Sequence, residues 1–77
     1  MIEKIKELIV NYVDAEPENV TADSRFIEDL GFNSYDFMSM LGELEGDLGV
    51  TVDEQDVIKL HTVGEAAEYL EALVKEQ

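Results

Sequence analysis

The chain contains no cysteine. Disulfides, zinc–thiolate sites and a thiol nucleophile are excluded together, so any thiol chemistry must come from an added group. There is one histidine, His61, which puts a multi-histidine metal site out of reach, and no metal site is expected. Five basic residues face nineteen acids, for a net charge of -14. DNA and RNA backbones would repel such a surface, so nucleic-acid binding is not expected. No stretch approaches the ~18 apolar residues of a membrane span. MIEKIKELIV lacks a signal-peptide layout, and a cytoplasmic protein is expected.

What remains is 77 residues, 45% apolar. That is room for one small domain over residues 1–77. A chain of this length buries only a little over ~60% of the surface its unfolded form exposes. No internal active-site cavity is therefore expected. The apolar residues are periodic, which separates the chain from a disordered acidic tail.

Ile2, Ile5, Ile9, Tyr12 and Val13 fall at helical spacing, with Leu8 beside them. Asp14 and Pro17 close that element. Residues 15–33 have no sustained period, long for a structureless loop unless it is tied down. Val20, Phe26, Ile27 and Leu30 are the expected ties, and Gly31 permits a sharp change of direction. Phe37, Met40, Leu41, Leu44 and Leu48 then form one apolar stripe that ends at Gly49. Gly42 and Gly46 fall inside it, either to admit a close neighbour or tolerated at exposed positions. Asp53 can cap a short helix, and Thr62 with Glu65 forms a capping box for the last. The expected helices cover about 2–14, 34–48, 53–60 and 62–75. The fold class is all-α: a small four-helix bundle with a short third helix and a long first loop.

Between Arg25 and Lys59 there is no basic residue, while Asp36, Glu43, Glu45, Asp47, Glu54 and Asp56 all lie there. An acidic docking face for basic proteins is one reading, and a solvated face is the other. Tyr35 and Met38 lie off the core stripe beside these acids, where exposed aromatic and methionine side chains suit protein contacts.

In DLGFNSYDF, Ser34 stands at the start of the second helix. No G-x-S-x-G elbow surrounds it, which argues against a hydrolase. Either Ser34 or Asn33 can cap the helix. If Asn33 does, the serine hydroxyl is spare, and a helix N-terminus favours an attached anion such as a phosphate ester.

DLGFNSYDF resembles the D-L-G-x-D-S-L-D attachment motif of acyl carrier proteins. VDAEPENVTADSRFIEDLG and LHTVGEAAEYLEAL extend the resemblance over nearly the whole chain. The resemblance implies a carrier without catalytic residues, bearing 4′-phosphopantetheine on Ser34. A phosphopantetheinyl transferase would install the arm from coenzyme A. Acyl-transfer, condensing and tailoring enzymes with basic docking patches would use it, in fatty-acid, polyketide or a related specialised pathway. Partner contacts are implied at Asn33, Tyr35, Asp36, Met38, Glu45, Asp47, Glu54, Asp56 and Ile58. An acyl pocket or core is implied at Phe37, Met40, Leu41, Leu44, Leu48, Val57 and Leu60. The sequence departs from the pattern at Asn33 and Tyr35, where aspartate and leucine are usual. It departs again at Ser39, Gly42, Gly46 and Ile58. These changes suit a specialised carrier. A monomer is expected. The alternative is a non-carrier acidic helical adaptor that binds basic partners through Tyr35, Met38 and their acidic neighbours.

Overall fold

The computed structural model describes residues 1–76. Among these, the three- and four-residue apolar steps produce four α-helices. α1 (Ile2–Tyr12) buries Ile5, Leu8 and Ile9. It stops short of the expected 14 because Val13 turns extended, while its N–H still reaches the Ile9 carbonyl. One turn of 3-10 helix follows at Pro17–Asn19. α2 (Ser34–Leu48) ends at Gly49, which takes the left-handed cap position.

α3 (Glu54–Val57) is much shorter than the expected 53–60. Asp53 lies outside it as the cap, its carboxylate accepting from the Gln55 N–H at 2.8 Å. Beyond Val57 the Lys59 and Leu60 amides reach back only three residues, to Asp56 and Val57. That tighter pattern does not extend an α-helix. α4 (Val63–Lys75) opens with Thr62 as its cap, and the Thr62–Glu65 capping box is formed in both directions.

The core is where these helices meet. Ile5, Ile9, Met40, Leu44, Val63, Ala66 and Leu70 are fully buried. Each large aliphatic among them stabilises the fold by about 1.5–3 kcal/mol relative to exposure. Leu48, Val52 and Leu60 pack at its margin, half-buried. α1 is also tied to α2 by polar contacts. The Tyr12 hydroxyl donates to the Glu43 carboxylate, and Lys4 pairs with Asp47 at 3.3 Å. A Cβ at Gly42 or Gly46 would meet nothing within 4 Å, so these glycines are tolerated at open positions and admit no close neighbour.

The first loop is ordered by the chain's other end. Phe26 N–H donates to the His61 carbonyl, Val63 N–H to Ser24 and Gly64 N–H to Ala22, at 3.0, 3.0 and 2.8 Å. Gly64 suits that approach, since a Cβ there would sit 3.0 Å from the Ala22 carbonyl oxygen and Ala22 would have to give way. Gly31 turns the chain with a φ of +82°. Phe32 N–H then bonds back to the Phe26 carbonyl at 2.9 Å. Val20 and Phe26 reach the core as expected, and Leu30 packs against it. Ile27 does not: it is 51% exposed. Phe32, outside the expected ties, is buried instead. Its ring packs edge-on to Phe26 at 5.6 Å between centroids.

Candidate functional site

The first turn of α2 settles which residue caps it. Asn33 has extended backbone (φ -99°, ψ 171°), and its side-chain oxygen accepts from the Asp36 N–H at 2.7 Å. Its carbonyl accepts the Phe37 N–H at 3.0 Å. Ser34 is therefore the first helical residue, exposed, and its hydroxyl bonds to none of the described residues. The Ser34 and Tyr35 amides likewise have no partner among them. Open amides and the positive end of a 15-residue helix dipole lie beside this hydroxyl.

Ser34 also stands on the lip of an apolar cleft of about 300 Å³. Phe37 and Met38 of α2 line it, together with Val57, the last residue of α3, and its C-cap Ile58. Ile27 of the first loop and Leu60 and His61 of the α3–α4 connection complete it. Of the residues assigned to a pocket or core, Phe37, Val57 and Leu60 line this cleft. Met40, Leu41 and Leu44 lie in the bundle interior and Leu48 at its edge, none of them in the cleft lining. Ile27 and His61 were not picked out as site residues. Nothing local marks Ile27, because the backbone pairing of Phe26 to His61 is what places both at the cleft. For His61, the nearby cap Thr62 was the available signal, since it puts the histidine in a junction.

Tyr69 of α4 fixes the α3 wall. Its hydroxyl accepts from the Asp53 N–H and donates to the Asp56 carboxylate, each at 3.1 Å. Burial is the main cause that pushes this phenol's pKa up, and the Asp56 hydrogen bond adds to it against the opposing Asp53 N–H. At the other end of the connection, Glu65 accepts from the His61 and Thr62 amides at 2.8 and 2.9 Å. Those N–H groups hold its carboxyl below the usual range.

The residues assigned to partner contacts divide into two groups. Tyr35 and Ile58 are 79% and 73% exposed, and Met38 joins them at the rim. Asp36, Glu54 and Asp56 lie in the first turns of α2 and α3, and Asp56 also accepts from the Tyr69 hydroxyl. Glu45 and Asp47 are engaged within the fold instead. Glu45 accepts the Val52 N–H at 2.9 Å and so ties down the turn after α2, while Asp47 is the partner of Lys4. Asn33 is occupied by capping.

A family model described as a phosphopantetheine attachment site matches residues 3–70. An acyl carrier protein from Enterococcus faecalis, solved as a structure, is 30% identical over 94% of this chain and 91% of its own, with a TM-score of 0.81. The chain belongs to the acyl carrier protein family. Two further structures share the fold at lower identity. A putative acyl carrier protein from Mycobacterium tuberculosis is 24% identical, covering 92% of this chain and 95% of that one, with a TM-score of 0.83. The acyl carrier protein of Thermotoga maritima is 21% identical, covering 97% and 87%, with a TM-score of 0.84. As a carrier the protein is not an enzyme, and its cofactor is covalent 4′-phosphopantetheine. Its partners in general are a phosphopantetheinyl transferase and acyl-handling enzymes. The non-carrier adaptor reading is set aside by the family match. No helix among the described residues is long and apolar enough to cross a membrane.

The N-terminus of α2 fits the carrier's arm. A phosphodiester needs a spare hydroxyl, room around it and local relief of its negative charge. Ser34 supplies the first two, and the open amides and helix dipole supply the third, within an otherwise acidic surface.

Proposed function

We propose that Ser34 is the attachment residue and that the cleft beside it shelters the acyl group between deliveries. The observation that carries this reading is the division of labour at the helix start. Asn33 holds the cap, which leaves the Ser34 hydroxyl unbonded at the mouth of an apolar cleft. When bound, the arm supplies a terminal thiol on which acyl groups ride as thioesters, the sulfur this chain lacks.

Partner enzymes would dock on Tyr35, Met38 and Ile58, with Asp36, Glu54 and Asp56 meeting their basic patches. Exposed apolar residues accompanied by acids are suited to that contact. Asn33, Tyr35, Ser39 and Gly42 replace the residues usual in housekeeping carriers. Their replacement supports a dedicated fatty-acid-like, polyketide or related pathway, served by a monomer in the cytoplasm.

The test is incubation with coenzyme A and a promiscuous phosphopantetheinyl transferase, followed by intact-mass measurement. The wild type should gain one phosphopantetheinyl group, and Ser34→Ala should gain none. In the same assay Tyr35→Ala and Ile58→Glu should slow the transfer without preventing it. A mass gain on Ser34→Ala, or none on the wild type with several transferases, would refute the assignment.

A further inference from the structure

Resting on the assignment of the arm to Ser34, we propose that the cleft takes only compact acyl groups and that Phe37 sets their length limit. The cleft holds about 300 Å³. An apolar cavity of roughly 150 Å³ accommodates benzene, so on that scale this one admits at most about twelve non-hydrogen atoms, the size of an octanoyl group with its thioester sulfur and the two adjoining arm carbons. The Phe37 side chain lines the cleft and is only 8% exposed, whereas the buried Met40, Leu41 and Leu44 of the same helix do not line it.

The Phe37 ring is not free to move alone. It packs on Phe26 at 4.8 Å between centroids, and Phe26 packs edge-on to Phe32 at 5.6 Å. Phe26 is in turn anchored by backbone bonds to His61 and Phe32. Behind the rings, Met40, Leu41 and Leu44 are at most 1% exposed and fill the space between the helices. Close-packed interiors do not yield room without displacing side chains. A short acyl group can therefore lie against Val57, Ile58, Ile27 and Met38. A longer one must leave its tail in water or force three mutually packed rings apart.

The test loads the full chain with butyryl, octanoyl, dodecanoyl or hexadecanoyl arms from the corresponding acyl coenzyme A, each confirmed by intact mass. Melting temperature and the methyl chemical shifts of Ile27, Val57 and Ile58 are then read. Both should change from butyryl to octanoyl and stay level beyond it. Phe37→Leu keeps the position apolar and should move the plateau to dodecanoyl, and Phe37→Ala should move it further if it folds. The wild-type series decides the matter even if neither variant folds. A wild-type melting temperature that climbs through hexadecanoyl overturns the limit, as does a Phe37→Leu plateau that stays in place. Failure to load at Ser34 overturns the attachment assignment and this inference with it. Normal loading with the wrong length dependence overturns this inference alone.

Discussion

At the first turn of α2, removing the Asn33 carboxamide leaves the Asp36 amide without its partner. Asn33→Ala should lower stability by about 1 kcal/mol, the usual effect of losing such a cap. Ser34→Ala removes an exposed hydroxyl that bonds to nothing described, so its effect should stay within about 0.5 kcal/mol. Urea denaturation of the two variants measures both. A Ser34→Ala loss as large as that of Asn33→Ala would mean that the serine shares the cap. The residue types at 33 and 34 did not separate these roles, because both cap well and both were in register. Separating them needs the backbone angles of Asn33, which put it outside the helix and Ser34 inside.

Among the elements, α3 depends most on its surroundings. Four residues are too few for a helix to hold by itself. Tyr69 anchors its N-terminal end at Asp53 and Asp56, and Val57 anchors it in the core. Tyr69→Phe keeps the ring and removes both hydrogen bonds, for a loss of about 1 kcal/mol. Amide hydrogen exchange should quicken at Asp53, Val57 and Ile58 and stay unchanged in the middle of α1. Uniform quickening across the chain would show that Tyr69 supports the whole fold and not α3 in particular. This element also marks how far the sequence could be read. The long helices were legible from their apolar stripes, and the last one from its Thr62–Glu65 signature. α3 and the first loop were not, because long-range contacts define them. Apolar character gave no means of telling Ile27, at the cleft, from Phe26, in the core. The cleft itself was half legible: Phe37, Val57 and Leu60 were named, and the contribution of the loop and of His61 was not.

Over the whole molecule, -14 charges on 77 residues oppose compaction. At neutral pH, added sodium chloride should raise the melting temperature by screening them. No group of three or more acids or histidines converges as a metal site among the described residues. Magnesium and calcium should then stabilise to similar extents, and a strong preference for one ion would contradict diffuse screening. Tyr12 and Tyr69, both raised, and Glu65, lowered, contribute to the pH dependence of stability. The hydrogen bond from Tyr12 to Glu43, then burial and the Glu43 and Asp36 charges, push the tyrosine's pKa up from 10.0 to about 12. A raised folded pKa contributes stability that is complete below pH 10 and disappears as pH rises toward 12. Glu65 has the opposite sign: its contribution is present above the ordinary value of 4.5 and is lost as pH falls below it. Melting curves of Tyr12→Phe should have a shallower alkaline decline than those of the wild type. An identical decline would remove Tyr12 from the account.

The pins that hold the first loop have a consequence for the order of events during synthesis. Ala22, Ser24 and Phe26 are fastened to Gly64, Val63 and His61. A nascent chain that has emerged only as far as α3 has Ser34 but not these fasteners. The loop wall of the cleft then has nothing to lie against. On the proposed assignment, the setting of Ser34 is complete only once residues 61–64 have emerged, and a chain ending at α3 should accept the arm more slowly than the full chain.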